Sequence, residues 1–185
     1  MLKDILKETE NRMNKAIENV RAELIRIRTG KATTALLDTV KVDCYGSLMP
    51  LNQVGTVSVS DVHMITVTPW DKSLLNAIDK AILAANLGFN PSSDGQIVRV
   101  PIPPLNEERR RELVKLTKKF GEEGKIAVRN IRRDEIEHLK KAEKADHFSE
   151  DDRKRAETEI QKFTDKAIKD IDTLLAVKEK EIMEV

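Results

Sequence analysis

The chain passes from a helical hydrophobic period to a strand-like one and back again. From Leu2 to Ile27 apolar residues recur at helical spacing, at Ile5, Met13, Ile17, Val20, Leu24 and Ile27, with Thr9 filling the gap. This predicts one amphipathic helix of about 25 residues, near 38 Å at 1.5 Å per residue. "RTGKAT" ends it, because glycine, here Gly30, is the usual residue just past a helix C-terminus. A narrow apolar stripe on a long helix needs partner helices to cover it, and the next segment supplies none. There, "VKVDCYG" alternates with Val40, Val42 and Cys44 on one face, and "VGTVSVS" and "MITVTPW" are also strand-like. "DKSLLNAIDKAILAANLG" predicts a short helix with Leu74, Leu75, Ile78, Ile82 and Ala85 on one side and Gly88 as its stop. "NPSSDG" is a turn and "QIVRV" a closing strand.

"VPIPPLNEERR" marks the exit from this block, since Pro101, Pro103 and Pro104 favour a stiff, extended connection. Asn106 is then the expected N-cap of a second long helix, with Glu107 and Glu108 in its first turn, where the helix dipole favours acids. Its expected seam is Leu113, Leu116, Phe120, Ala127, Ile131 and Leu139, with Gly124 allowing close approach. "DHFSEDD" breaks the pattern near Ala145. Ser149 with Asp152 three residues on has the form of a capping box, opening a third helix through Ala156, Ile160, Phe163, Ala167, Ile171 and Leu174. Three long helices with matching stripes pack as a bundle. The expected fold class is therefore α+β in two domains. Residues 1–30 plus 105–185 make an elongated three-helix bundle, and 31–104 an inserted small α/β domain of β/α/β sandwich type. Hinges are expected near 28–31 and 101–106, at Thr29, Gly30 and Lys31 and at Pro101, Pro103 and Pro104.

Composition narrows the function. Aromatics are 3% of residues, with Trp70 and Tyr45 the only ones of their type, which counts against modules that stack bases on exposed rings. The single Cys44 leaves no intrachain disulfide and fits a reducing compartment. The amino terminus has no uninterrupted apolar run and no segment carries the ~20 apolar residues of a membrane span, so a cytoplasmic protein is expected.

The formal charge of +1 hides a split: Glu107 to Arg133 holds ten Lys/Arg against five acids, and Asp134 to Glu159 six against ten. On a wheel of about 100° per residue, Arg111, Lys115, Lys118, Lys125, Arg129, Arg132 and Arg133 share one face of the second helix, interrupted by Glu122. Arg26, Arg28 and Lys31 add charge at the domain junction. Such a face can be merely solvated and laced with ion pairs, or it can dock an acidic protein. Three features favour nucleic acid: the acids mostly sit off the stripe, arginine, the better fork for phosphate, dominates from Arg129 onward, and the run ends abruptly at "DEIE". Binding would then rest on backbone contact and shape.

Covalent chemistry finds little footing. His63, His138 and His147 lie far apart and none pairs with Cys44 as metal ligands; Cys44 itself occupies an apolar strand position. "SEDD" and "DEIE" read as helix-start and surface charge. "PWDKS" would need a pocket holding Asp71, Lys72 and Ser73 together, and Asp71 reads more simply as a helix N-cap. The expectation is a protein that is not an enzyme and uses no cofactor or metal.

Five segments, "RIRTGKAT", "LNAIDKAILAANLGFNP", "VRVPIPPLNEERR", "AVRNIRRD" and "SEDD", together resemble the bacterial ribosome recycling factor family over the full length, in the same order and at nearly the same spacing. The resemblance implies an L-shaped molecule with the outline of a transfer RNA. It also implies a translation factor that disassembles the post-termination ribosomal complex with elongation factor G and GTP, as a monomer bound to large-subunit ribosomal RNA. The alternative is a charged RNA- or protein-binding bundle with no part in ribosome splitting. Carried over by motif, the implied RNA contacts are Arg132 first, Arg129 and Arg133 beside it, then Arg28 and Arg110. The stripe adds Lys118, Lys125 and Arg111. Lys31 stands where the family often has arginine, which puts a bidentate phosphate contact there in question.

Overall fold

The computed structural model describes residues 2–145 and 147–184; Asp146, within the break between the second and third long helices, lies outside them. Contacts divide the chain into two compact units: the segments up to Arg28 and from Glu107 onward form one, and Thr29–Asn106 the other.

The first unit consists of three helices, α1 (Leu2–Arg26), α3 (Glu107–Lys144) and α4 (Glu150–Met183), each packed on the other two. α1 buries Ile5, Thr9, Met13, Ala16, Ile17, Val20 and Leu24, the stripe its spacing predicts with Ala16 added. α4 opens on a complete capping box: the Ser149 hydroxyl accepts from the Asp152 N–H, and the Ser149 N–H donates back to the Asp152 carboxylate. Its core line is Ala156, Ile160, Thr164, Ala167, Ile171, Leu175 and Ile182, with Phe163 and Leu174 half-buried at the margin.

On α3 the seam differs from the apolar spacing. The buried residues are Leu113, Thr117, Gly121, Gly124, Val128, Glu135, Leu139 and Ala142. Leu116 is exposed, and Phe120, Ala127 and Ile131 are only half-buried. The buried arc is turned by about 60° from the predicted one. Two glycines explain the turn. A methyl group at Gly121 would overlap the Leu175 side chain of α4, and one at Gly124 would overlap Val20 of α1, so α3 presses its bare backbone against both partners. The threonines Thr9, Thr117 and Thr164 enter the core because each hydroxyl donates to the carbonyl four residues back, at 2.8 Å. Glu135 is buried at 5% exposure and takes an ion pair from Arg12 of α1.

The second unit holds a hairpin of β1 (Lys41–Cys44) and β2 (Ser47–Pro50), and an antiparallel sheet in the order β3–β4–β6–β5. In that sheet β3 is Gly55–Asp61, β4 Met64–Pro69, β5 Ser92–Ser93 and β6 Val98–Pro101. Helix α2 (Leu75–Ala84) contacts β1 as well as β5 and β6. Alternation puts Val40, Val42, Ile65, Val67, Val98 and Val100 inside with Ile78 and Ile82 of α2, all at 1% exposure or less. Burying each such aliphatic stabilises by roughly 1.5–3 kcal/mol. β2 was not evident in the sequence: "SLMP" is short, ends in proline and exposes Leu48. α2 ends at Ala84, ahead of the expected stop, because Asn86 already takes a positive φ of 53° before Gly88 does so at 78°.

The β3–β4 turn holds both chain crossings on the side of this unit. The Ala32 N–H donates to the Val62 carbonyl at 2.7 Å, and the Ile102 N–H to the His63 carbonyl at 2.8 Å. The His63 Nδ1–H donates to the Gly30 carbonyl at 2.9 Å. Pro101, read from sequence as linker, is the last residue of β6 and sits opposite Met64.

Candidate nucleic-acid interface

At 1.5 Å per residue α3 is about 57 Å long, and its outward face carries Arg111, Lys115, Lys118, Arg129 and Arg133 of the predicted basic residues. Lys115, Lys118, Arg129 and Arg133 are exposed and make no ion pair with any described residue. Their charge is therefore available to an anionic partner. Arg111 is also exposed, but Glu107 one turn back engages it at 2.5 Å. Exposed pairs of this kind contribute about 0.3–0.5 kcal/mol, too little to hold the guanidinium against a phosphate.

Because the core arc is rotated, Lys125 and Arg132 lie on the edge of the stripe nearest α4. Lys125 is no open cation. Its side chain is 14% exposed, with Nζ 2.5 Å from Asp172 of α4 and 3.5 Å from Glu122. The hydrogen bond to Asp172 holds its pKa above the ordinary lysine value. The sequence expectation that Lys125 faces outward with the other cations is corrected here. Arg132 is half-buried; one guanidinium nitrogen donates to Gln161 Oε1 of α4 at 3.0 Å, and its Nε is enclosed without a partner. The Gln161 amide in turn donates to Asp165 at 2.8 Å. Arg132 is thus the stripe arginine that α4 orients.

Arg110 stands apart from the stripe. It lies in line with Thr117 and Val128 on the core side of α3, half-buried, with Nε enclosed and unpartnered among the described residues. Arg28 is exposed just past α1, and Lys31 is half-buried at the start of the second unit. The role of α4 in orienting a stripe arginine was missed from sequence, because it depends on helix register rather than on composition.

The acidic stretch following the stripe is used internally. Arg12 bridges from α1 to both Asp134, at 3.2 Å, and Glu135. Arg153 gathers Glu143 at 2.7 Å and Glu157 at 2.5 Å, tying the end of α3 to the start of α4. "DEIE" therefore fastens helices instead of extending the open face.

In the second unit, Asp71 acts as a cap. Its carboxylate accepts from the Tyr45 hydroxyl at 2.6 Å and from the Ser73 N–H at 3.0 Å, and these bonds, that of Tyr45 foremost, hold its pKa below the ordinary aspartate range. An open groove of about 570 Å³ in this unit is lined by Leu37, Asp38, Asn52, Gly55 and Trp70, and does not include Asp71, Lys72 or Ser73. Among the described residues no group of three or more His, Cys, Asp or Glu could hold a metal ion. No helix among them is long and apolar enough to cross a membrane.

The architecture defines a class first: a three-helix bundle, split between α1 and α3 by an inserted α/β unit, with an open basic face along its longest helix. Comparison with known proteins gives the family. The family model described as ribosome recycling factor matches residues 20–183. The ribosome-recycling factor of Symbiobacterium thermophilum is 55% identical over the full length of both chains. That of Chlorobaculum parvum is 56% identical over 100% of this chain and 99% of its own. A solution structure of a ribosome recycling factor superposes with a TM-score of 0.75 at 46% identity, covering 100% of this chain and 98% of the other. Another solved chain, also 46% identical and fully covered on both sides, has a TM-score of 0.62. It comes from models of the T. thermophilus ribosome recycling factor and the E. coli elongation factor G bound to the E. coli post-termination complex. This chain belongs to the ribosome recycling factor family, a family of non-enzymatic translation factors, and its function is ribosome recycling.

Proposed function

We propose that the protein works in the cytoplasm, taking apart the post-termination ribosome together with elongation factor G and GTP while α3 rests on large-subunit ribosomal RNA. The observation that carries this is the line of cations without an ion pair among the described residues, Lys118, Arg129 and Arg133, beside the oriented Arg132 on one 38-residue helix. Phosphate contacts need charge that is not already neutralised, and shape readout needs a stiff support. Arg111, Arg28, Lys31 and Arg110 are weaker contributors in this reading. Lys125 serves mainly to fasten α3 to α4 through Asp172.

The role of the second unit is mechanical. Its swing takes place around Thr29–Lys31 and Pro103–Asn106, beside the points where the β3–β4 turn holds Gly30, Ala32 and Ile102; Pro101 moves with the sheet. Proline limits the second crossing to a few conformers, so the motion is a bend, not a free tumble. The partner GTPase would drive that bend while the bundle stays on RNA.

The test is light scattering of post-termination ribosomes mixed with this protein, elongation factor G from a matched source and GTP. The native protein gives a scattering drop, and Arg132→Ala slows it at least about tenfold, the size expected on losing a hydrogen bond to a charged group. Binding also weakens about 30-fold between 50 and 200 mM salt if three phosphates are neutralised. A flat salt dependence with native splitting in the variant would overturn the RNA role of α3.

A further inference from the structure

We infer that Gln161 and Asp165 of α4 are positioning residues for Arg132, and that Gln161 keeps Arg132 from being consumed by an internal ion pair. The inference deepens the proposed RNA contact and rests on it. α3 and α4 run antiparallel, and three contacts set their register: Gly121 against Leu175, Lys125 with Asp172, and Glu143 with Arg153. Moving seven residues along each helix from the Lys125–Asp172 pair brings Arg132 to the level of Asp165, on the same faces. By register Arg132 should therefore repeat the Lys125 pair. It does not, and no ion pair joins it to any described residue.

Gln161 accounts for the difference. Its carbonyl oxygen accepts from Arg132 at 3.0 Å and its amide donates to Asp165 at 2.8 Å. The amide bridges cation and acid, orients both and cancels neither. An amide is suited to this because it offers an acceptor at one end and donors at the other. Lys125 and Arg132 are thus two solutions at equivalent positions. Where no amide intervenes the cation is tied down at 2.5 Å; where one does, the guanidinium donors other than the enclosed Nε stay available to a phosphate. Direct pairing with Asp165 would also be charge-assisted, and the bidentate fork would then be occupied.

Binding to isolated large ribosomal subunits at one moderate salt concentration tests this, with native protein, Arg132→Ala, Gln161→Ala, the Arg132→Ala/Gln161→Ala pair and Gln161→Ala/Asp165→Asn. Gln161 and Asp165 are exposed, so folding is kept, and a melting curve for each variant checks it. Gln161→Ala should weaken binding about five- to tenfold, as Arg132 turns onto Asp165. It should have no effect once Arg132 is absent, the non-additivity of residues acting through one another. Adding Asp165→Asn should restore binding to within about twofold of native, because the competing charge is gone.

Native binding by Gln161→Ala, with Arg132→Ala impaired, would overturn the positioning role and leave the RNA contact of Arg132 standing. Equal losses from Gln161→Ala with and without Arg132 would also overturn it, by showing that Gln161 touches the ribosome itself. Native binding by Arg132→Ala would bring down the RNA contact, and the positioning role with it.

Discussion

The two units of this molecule are held together by different means. The sheet unit closes on branched aliphatics: Val42, Ile65, Val67, Ile78, Val98 and Val100 are wholly buried, and alternation along its strands delivers them. The bundle brings small and polar groups inside. Its seams include Gly121, Gly124, three back-bonded threonines and the Glu135 carboxylate, and its helices are cross-linked by Arg12, Lys125 and Arg153. A compact unit can rely on volume. A long, narrow bundle has little interior per residue, so helix approach and interhelical ion pairs carry more of its definition. The difference suits the proposed division of labour, in which the bundle must stay straight on RNA while the other unit moves.

Three experiments would break or sharpen this contrast. The largest effect is expected from Ile65→Ala, which opens a cavity in the sheet unit and should cost about 2–5 kcal/mol. Hydrogen exchange should show that loss within residues 29–106, with the slow amides of α3 and α4 little changed; uniform loosening of both units would deny them separate cores. Next is Gly124→Val, which forces α1 from α3 at Val20 and should cost about 1–3 kcal/mol. Its signature is the mirror image: faster exchange in the helices with the sheet unit unaffected. A silent Gly124→Val would mean that close approach does not define the seam.

The smallest effect concerns acid. Asp94 accepts from the backbone N–H groups of Ile97 and Gln96, both at 3.0 Å, and from Arg99 at 2.6 Å. These bonds, the backbone ones foremost, hold its pKa below the ordinary 3.8. A depressed folded pKa gives stability that is present above the unfolded value and lost as pH falls through the folded one. The β5–β6 edge should therefore loosen below pH 4, and Asp94→Asn should flatten that dependence. Melting curves at pH 5 and pH 3 read the difference, and parallel losses in both proteins would exclude Asp94 as the source.

Sequence made the order of the helices and of β1, β3, β4 and β6, and the core of the sheet unit, readable because alternation and helical spacing are local signals; β2 and the two-residue β5 carry too little of either. The Ser149 capping box was legible for the same reason, being a contact across three residues. The α3 seam was less so. Leu116 satisfies helical spacing yet lies outside, whereas Thr117, Gly121 and Glu135 lie inside with no hydrophobicity to announce them. Which side of a helix is buried depends on how near its neighbours come, and glycine reports that only once the partner side chain is known. The error passed directly into the site. Apolar spacing alone turns Lys125 outward because it sets the seam about 60° away. The bridge from Arg132 through Gln161 to Asp165 stayed hidden because it needs the register of two helices whose paired residues are far apart in sequence.

The grip of the β3–β4 turn on Ala32, Gly30 and Ile102 bears on the order in which the chain acquires structure. Leu105 lies beside Gly30, so the entry and exit of the inserted unit are neighbours once that unit has formed. For α1 to find α3 in an unstructured chain, a loop of roughly 80 residues would have to close; with the insert already folded the gap shrinks to a few residues, sparing about 2–3 kcal/mol of closure entropy. Synthesis from the amino terminus also completes the insert before α3 emerges. An insert that folds first would thus act as a clasp, turning a distant helix pairing into a nearly local one.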